Sequence, residues 1–282
     1  MQYTISNGNL TVTADTLGAE IISVKKNGKE WVWQNQDGNW DGHGPLLFPV
    51  CGHFGLTVDG VFYDLPAHGF SRKSQYTLVD KGEDFLIFEL RANEQTKAVY
   101  PFDFVVTVGY ALTGDTLTIR FEVENPAEKT LYFACGGHES FNLDKNIGNY
   151  ELRFEKTEHL VHLYHNDDGY LDGKTLDYGV CDTFVLPEDF LQEGRTLIFK
   201  DINSRKLTFA KKGGEALVEV AFDGFKNLLL WRELDSPFLC IEPWSNLPDY
   251  ENAPDVEFST KEGVFAVAPK DKKSLVRTIK YL

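Results

Sequence analysis

Apolar and polar positions alternate through most of this chain. Leu117, Ile119, Phe121 and Val123 alternate with Thr118, Arg120, Glu122 and Glu124. That period of two predicts a strand with one buried face. Residues 104–112 read as a second strand, and Thr113-Gly114-Asp115 joins the two as a hairpin. Residues 21–26 and 30–34 flank Asn27-Gly28, and 58–65 carries Asp59-Gly60, both strong two-residue turn signals. Further strands are expected over 85–90, 131–134, 197–199, 206–209, 216–222, 227–231 and 275–281. Helical periodicity is nearly absent. Residues 93–99, ahead of Pro101, predict one or two turns, and 187–192 another. No Pro- or Ser-rich linker, low-complexity tract or internal repeat interrupts the pattern. The expectation is one all-β domain over residues 1–282, a sandwich or barrel of many antiparallel strands.

Composition narrows the functions open to such a fold. The 282 residues are 42% hydrophobic, enough for a large core. The formal net charge of -15 argues against nucleic acid and against an anionic membrane surface, which both require clustered Lys and Arg. No apolar run approaches the ~20 residues that span a bilayer. The N-terminus reads as a strand rather than a leader, so a cytoplasmic protein is expected. Cys51, Cys135, Cys181 and Cys240 form no Cys-x-x-Cys pair and are expected to be free, mostly buried thiols.

Candidate chemistry stands out where the pattern is broken. Phe238-Leu239-Cys240-Ile241 is an apolar run, and Glu242 follows before Pro243-Trp244. A carboxylate there leaves water at a cost unless it has a partner or a task. Gly136-Gly137-His138 follows the strand at 131–134. With Glu242, His138 makes an acid–base candidate. Glu139 is a second candidate carboxylate, but strand alternation aims it at the face opposite His138. Pro66-Ala67-His68-Gly69-Phe70-Ser71-Arg72 places a histidine and an arginine four apart after a strand. His43, His53 and His68 match no common metal spacing, and no metal is expected. His159, His162 and His165, near Asp167 and Asp168, read as a solvated loop.

Together, these segments resemble the aldose 1-epimerase (galactose mutarotase-like) family, and most of all its LacX-like branch. The resemblance spans essentially the whole chain. It rests on Gly44-Pro45-Leu46-Leu47-Phe48-Pro49 with Gly52 and Phe54-Gly55, on the 66–72 segment, on Gly137-His138 through Phe141-Asn142-Leu143, and on Ile241-Glu242-Pro243-Trp244. It implies a large antiparallel β-supersandwich with an open sugar-binding cleft. It also implies interconversion of the α and β anomers of a sugar without a cofactor. Glu242 matches the general base, His138 the general acid, and His68 and Arg72 the substrate-binding residues. The chain departs from the galactose mutarotases in lacking an Asn-Arg pair upstream of the first histidine. It has Arg195-Thr196-Leu197 where a cleft aspartate is expected, with Asp182 as the candidate in its place.

Three rival functions follow from the same residues. A hexose-6-phosphate epimerase needs cations around the phosphate, for which Arg72, Lys73 and Arg232 are the candidates. A glycosidase needs two carboxylates, which only Glu139 and Glu242 could supply. A non-catalytic carbohydrate-binding protein would use Trp33, Trp40, Trp231 or Trp244 as platforms.

Overall fold

In the strand Thr116–Glu124, Leu117, Ile119, Phe121 and Val123 are buried while Arg120 and Glu124 are exposed, as the alternation dictates. It pairs antiparallel with Val105–Thr113, and Thr113 faces Thr116 across the Gly114-Asp115 turn. The Asp59-Gly60 hairpin joins Leu56–Val58 to Val61–Tyr63. The Asn27-Gly28 turn joins Ile21–Lys26 to Lys29–Glu30, a shorter second strand than expected. Helix is confined to Glu94–Val99 and three short 3-10 turns among the residues this computed structural model describes, which are 1–188, 196–233 and 236–282. The helix carries a capping box between Asn93 and Thr96, which satisfies otherwise unpaired amides at its first turn. The turn expected at 187–192 lies mostly outside the described residues.

The molecule is all-β, a large antiparallel β-supersandwich. Its main sheet has fifteen strands. The sheet runs from Leu46–Leu47 through Gly136–Gly137, Phe238–Trp244, Asn227–Trp231 and Thr196–Phe199 to Tyr150–His165. It continues through Lys206–Lys211, Ala216–Ala221, Lys272–Tyr281, Thr116–Glu124, Val105–Thr113 and Phe85–Arg91 to Thr77–Lys81. A four-stranded N-terminal sheet, Gln2–Ser6 to Lys29–Glu30, shares the principal core with it. That core joins Val12 and Val24 to Phe88, Tyr110 and Ile119. Each such side chain contributes roughly 1.5–3 kcal/mol by leaving water.

One expectation is overturned here. His159, His162 and His165 do not sit on a solvated loop. They belong to the long strand Tyr150–His165, which pairs with Leu171–Val185 across the turn at 166–170. Three register shifts interrupt that ladder, so no clean period of two was visible over these residues. His162 is buried, and its Nδ1 accepts from the Ile198 amide at 3.1 Å.

Core packing also builds the 66–72 loop. Phe48 packs against Phe70, Tyr100, Phe104, Phe121 and Phe133. Its carbonyl accepts from the amides of Phe70 at 3.1 Å and Ser71 at 3.2 Å. Gly69, at φ +68°, lies so close that a Cβ would collide with that carbonyl oxygen. The loop is therefore seated on the core by backbone contacts that only glycine permits.

Candidate active site

The strand Phe238–Trp244 is buried at every position and brings Glu242 into the interior. Two short strands, Gly136–Gly137 and Glu139–Asn142, pair with it on either side of His138. Gly136 faces Trp244, and Glu139 faces Ile241. The register is the same on both sides of the break, so His138 stands opposite Glu242 and shares its face. His138 Nε2 lies 3.3 Å from Glu242 Oε2. Among the described residues no hydrogen bond reaches Glu242 Oε2 or His138 Nδ1, although both atoms are buried.

Burial acts on both groups in the direction of neutrality. It lifts the Glu242 carboxyl well above its ordinary value, aided by the negative charge of Glu139 and opposed by Arg72. It pushes the His138 imidazolium down to about 3, aided by the nearby Arg72 cation. Both shifts favour the neutral forms of the two groups over an ion pair.

Glu139 points to the other side of the sheet, where it pairs with the buried guanidinium of Arg277. This removes Glu139 from the cleft and ends the Glu139–Glu242 pairing. Arg277 occupies an inward position between Leu275 and Ile279. Its guanidinium lies where a Cβ on Gly137 would be, so that glycine is required for the approach.

The dyad lies on the wall of a cleft of about 350 Å³ that is also lined by Trp40, His53, His68, Arg72, Trp231 and Trp244. Trp40 stacks on the His138 ring at 5.4 Å between centroids, and Trp231 meets it edge-on at 5.5 Å. His68 has φ +66°, an uncommon backbone state that two bonds to Gly52 hold in place. The His68 amide donates to Gly52 O, and the Gly52 amide donates to His68 Nδ1, each at 3.0 Å. Burial, with His138 and Arg72 beside it, keeps the His68 ring neutral. The ring proton is thus on Nε2, available as a donor. Arg72, in the 3-10 turn Ser71–Lys73, spends one nitrogen on Ala67 O at 3.4 Å and leaves its buried Nε without a partner.

The structure thus brings together all four candidates, His138, Glu242, His68 and Arg72. It adds His165, Asp167 and Asp168, from the end of the 150–165 strand and its turn, as lining of the same cleft. His165 Nδ1 is hydrogen-bonded to Asn166 O at 2.8 Å, and its Nε2 is buried without a partner. Asp182 is exposed and does not line the cleft; among the described residues the aspartates that line it are Asp167 and Asp168. Trp33 is buried in the core with Phe238 and Cys240 rather than presented as a platform. Arg232 is buried and bonded to Lys145 O, and Lys73 is exposed outside the cleft. A larger recess of about 710 Å³ lies elsewhere, near Asp59, Lys129 and Glu257. Its Lys129–Asp59 pair is surface-exposed.

Comparison with known proteins agrees with this architecture. The family model described as aldose 1-epimerase matches residues 1–261. The chromosomal protein LacX of Lactococcus lactis subsp. lactis is 33% identical over 267 residues, 88% of each chain. A galactose mutarotase related enzyme from Lactobacillus acidophilus superposes with a TM-score of 0.89 at 28% identity, covering 100% of this chain and 97% of that one. A galactose mutarotase-like protein from Lactobacillus casei gives 0.90 at 25% identity, with 100% of both chains covered. The fold is of galactose mutarotase type, and the chain belongs to the aldose 1-epimerase family.

Proposed function

We propose that this protein is an aldose 1-epimerase that interconverts the α and β anomers of an unphosphorylated aldohexose. The observation that carries the reading is the buried His138–Glu242 pair, 3.3 Å apart on the wall of a sugar-sized cleft. Ring opening removes a proton from the anomeric hydroxyl and adds one to the ring oxygen. Glu242 takes the first and His138 supplies the second. The C1–C2 bond then rotates, and the reverse transfers close the ring on the other face. These steps need no redox or nucleotide cofactor.

The direction of the two shifts bears on this cycle. Once the ring is open, the carboxyl holds a proton and the imidazole is neutral. That is the state the buried site favours. The surroundings therefore favour the neutral pair that forms as the ring opens over the ion pair that precedes it. His68 Nε2 and Arg72 donate to sugar hydroxyls, and Trp40 and Trp244 supply apolar faces for the ring carbons.

The pH profile is expected to be broad. Below about 3 His138 gains a proton and the pair can no longer accept one. Above the raised value of Glu242 the pair loses its only proton. Between these limits kcat/KM should be level, falling on both sides. An acidic limb centred near 6.5, the ordinary histidine value, would contradict the placement of His138 in this pair.

A neutral sugar is favoured over a hexose 6-phosphate by the cleft's charge. Arg72 is the one Lys or Arg that lines it among the described residues, against Asp167 and Asp168. The net charge of -15 adds a field that opposes a dianion. Polarimetry on freshly dissolved glucose, galactose and glucose 6-phosphate tests both claims. Faster relaxation to an unchanged equilibrium rotation is expected for a free hexose. Arg72→Ala should lower kcat/KM by an amount insensitive to salt, because the partner is uncharged. A salt-sensitive preference for the phosphate that Arg72→Ala abolishes would reassign the substrate. No acceleration with any free or phosphorylated aldose would leave a carbohydrate-binding protein instead.

A further inference from the structure

We propose that His138, Cys240 and Glu242 form a three-ligand site for a zinc-like divalent cation, which blocks the cleft by occupying its acid–base pair. Cys240 precedes Glu242 by two residues on one strand, so both project to the same face, where His138 also lies. One ligand atom from each of the three comes within 4.8 Å of the others, and all three residues are buried.

Three further observations point to a cation rather than to chance proximity. First, for bonds of about 2.0–2.1 Å, two ligands of a tetrahedral zinc lie about 3.3–3.4 Å apart. The His138 Nε2–Glu242 Oε2 separation is 3.3 Å. Second, Glu242 Oε2 is a buried acceptor that receives no hydrogen bond. A buried polar atom in that condition calls for a partner. Third, one nitrogen, one sulfur and one oxygen suit zinc or cobalt(II) and disfavour magnesium and calcium, which take oxygen ligands. Trp40 stacked on His138 holds the plane of its ring.

Binding would take Cys240 and Glu242 as anionic ligands and release to solvent the protons they carry. With His138 and Glu242 both engaged, no group remains to carry the proton cycle, so the cation acts as an inhibitor and not as a cofactor. That last step rests on the epimerase reading; the binding step does not.

The test uses the full chain stripped with a chelator. Cobalt(II) added to it should give a sulfur-to-metal charge-transfer band in the near ultraviolet at one equivalent, and zinc should displace it. Cys240→Ala should lose the band and weaken zinc binding by calorimetry at least as much as an outer-shell change does, about 10–100-fold. In polarimetry with the sugar that is turned over, the stripped protein should be fully active, zinc should inhibit, and chelator should restore the rate. Cys240→Ala should keep its basal rate and resist zinc. Cys240→Ser serves if the alanine variant does not fold. No band with wild type, or a band that survives in Cys240→Ala, would overturn the site. Activation by zinc would overturn its inhibitory role. A band with no mutarotation of any sugar would leave the site standing and sink the epimerase reading alone.

Discussion

Glu242→Gln and His138→Asn are each expected to lower kcat for mutarotation by roughly 10²–10⁴-fold, the usual scale for a general acid or base. The amide of glutamine fills the same space but cannot take the anomeric proton. Asparagine keeps a polar group near Glu242 but has no titratable nitrogen. The two losses should not multiply in the double variant, because both groups serve one proton cycle. Stability should move the other way for Glu242→Gln. Glu242 is raised on folding, so its contribution is present at low pH and is lost as pH rises through its folded value. The glutamine variant has no such loss, and its advantage in Tm should grow towards alkaline pH. Steady-state polarimetry and thermal melts across pH measure both effects. A near-normal kcat in either single variant would show that the role belongs to another residue.

Arg277→Met is expected to destabilise the fold by about 3–5 kcal/mol, the scale for removing one partner of a buried ion pair. The cost arises because Glu139 would stay behind, buried and unpaired. Methionine fills similar volume, so the loss reports charge more than packing. Adding Glu139→Gln should recover much of the stability, since no uncompensated charge remains. Denaturant unfolding of the two singles and the double gives the coupling directly. A loss below about 1 kcal/mol for Arg277→Met, the scale of an exposed pair, would mean that the pair is in effect solvated. The pair also touches chemistry, because Glu139 is one of the charges that raise Glu242.

Several site residues were legible in the chain for plain reasons. Glu242 announced itself as a charge inside an apolar strand, and the strand is indeed buried at every position. His138 lay beside a glycine pair, and the backbone there breaks between two short strands. Arg277 carried the same kind of signal as Glu242, a charge at an inward position between Leu275 and Ile279, and reading the 275–281 strand position by position would have found it. Asp167, Asp168 and His165 carried none, because polar residues beside a turn look alike whether or not the turn folds over a cleft.

Local patterning determined the strands, the tight hairpins and the all-β class, because a period of two and the turn residues act over a few neighbours. It also determined which side of its strand Glu139 would take. Only the tertiary structure decided that His138 stands opposite Glu242, that Arg277 answers Glu139, that Cys240 joins the first two, and that the 150–185 hairpin lines the cleft. Each of these depends on the register between strands far apart in sequence. Register is set by how a whole buried face fits its partner, and a slip of one residue would send every side chain to the other face.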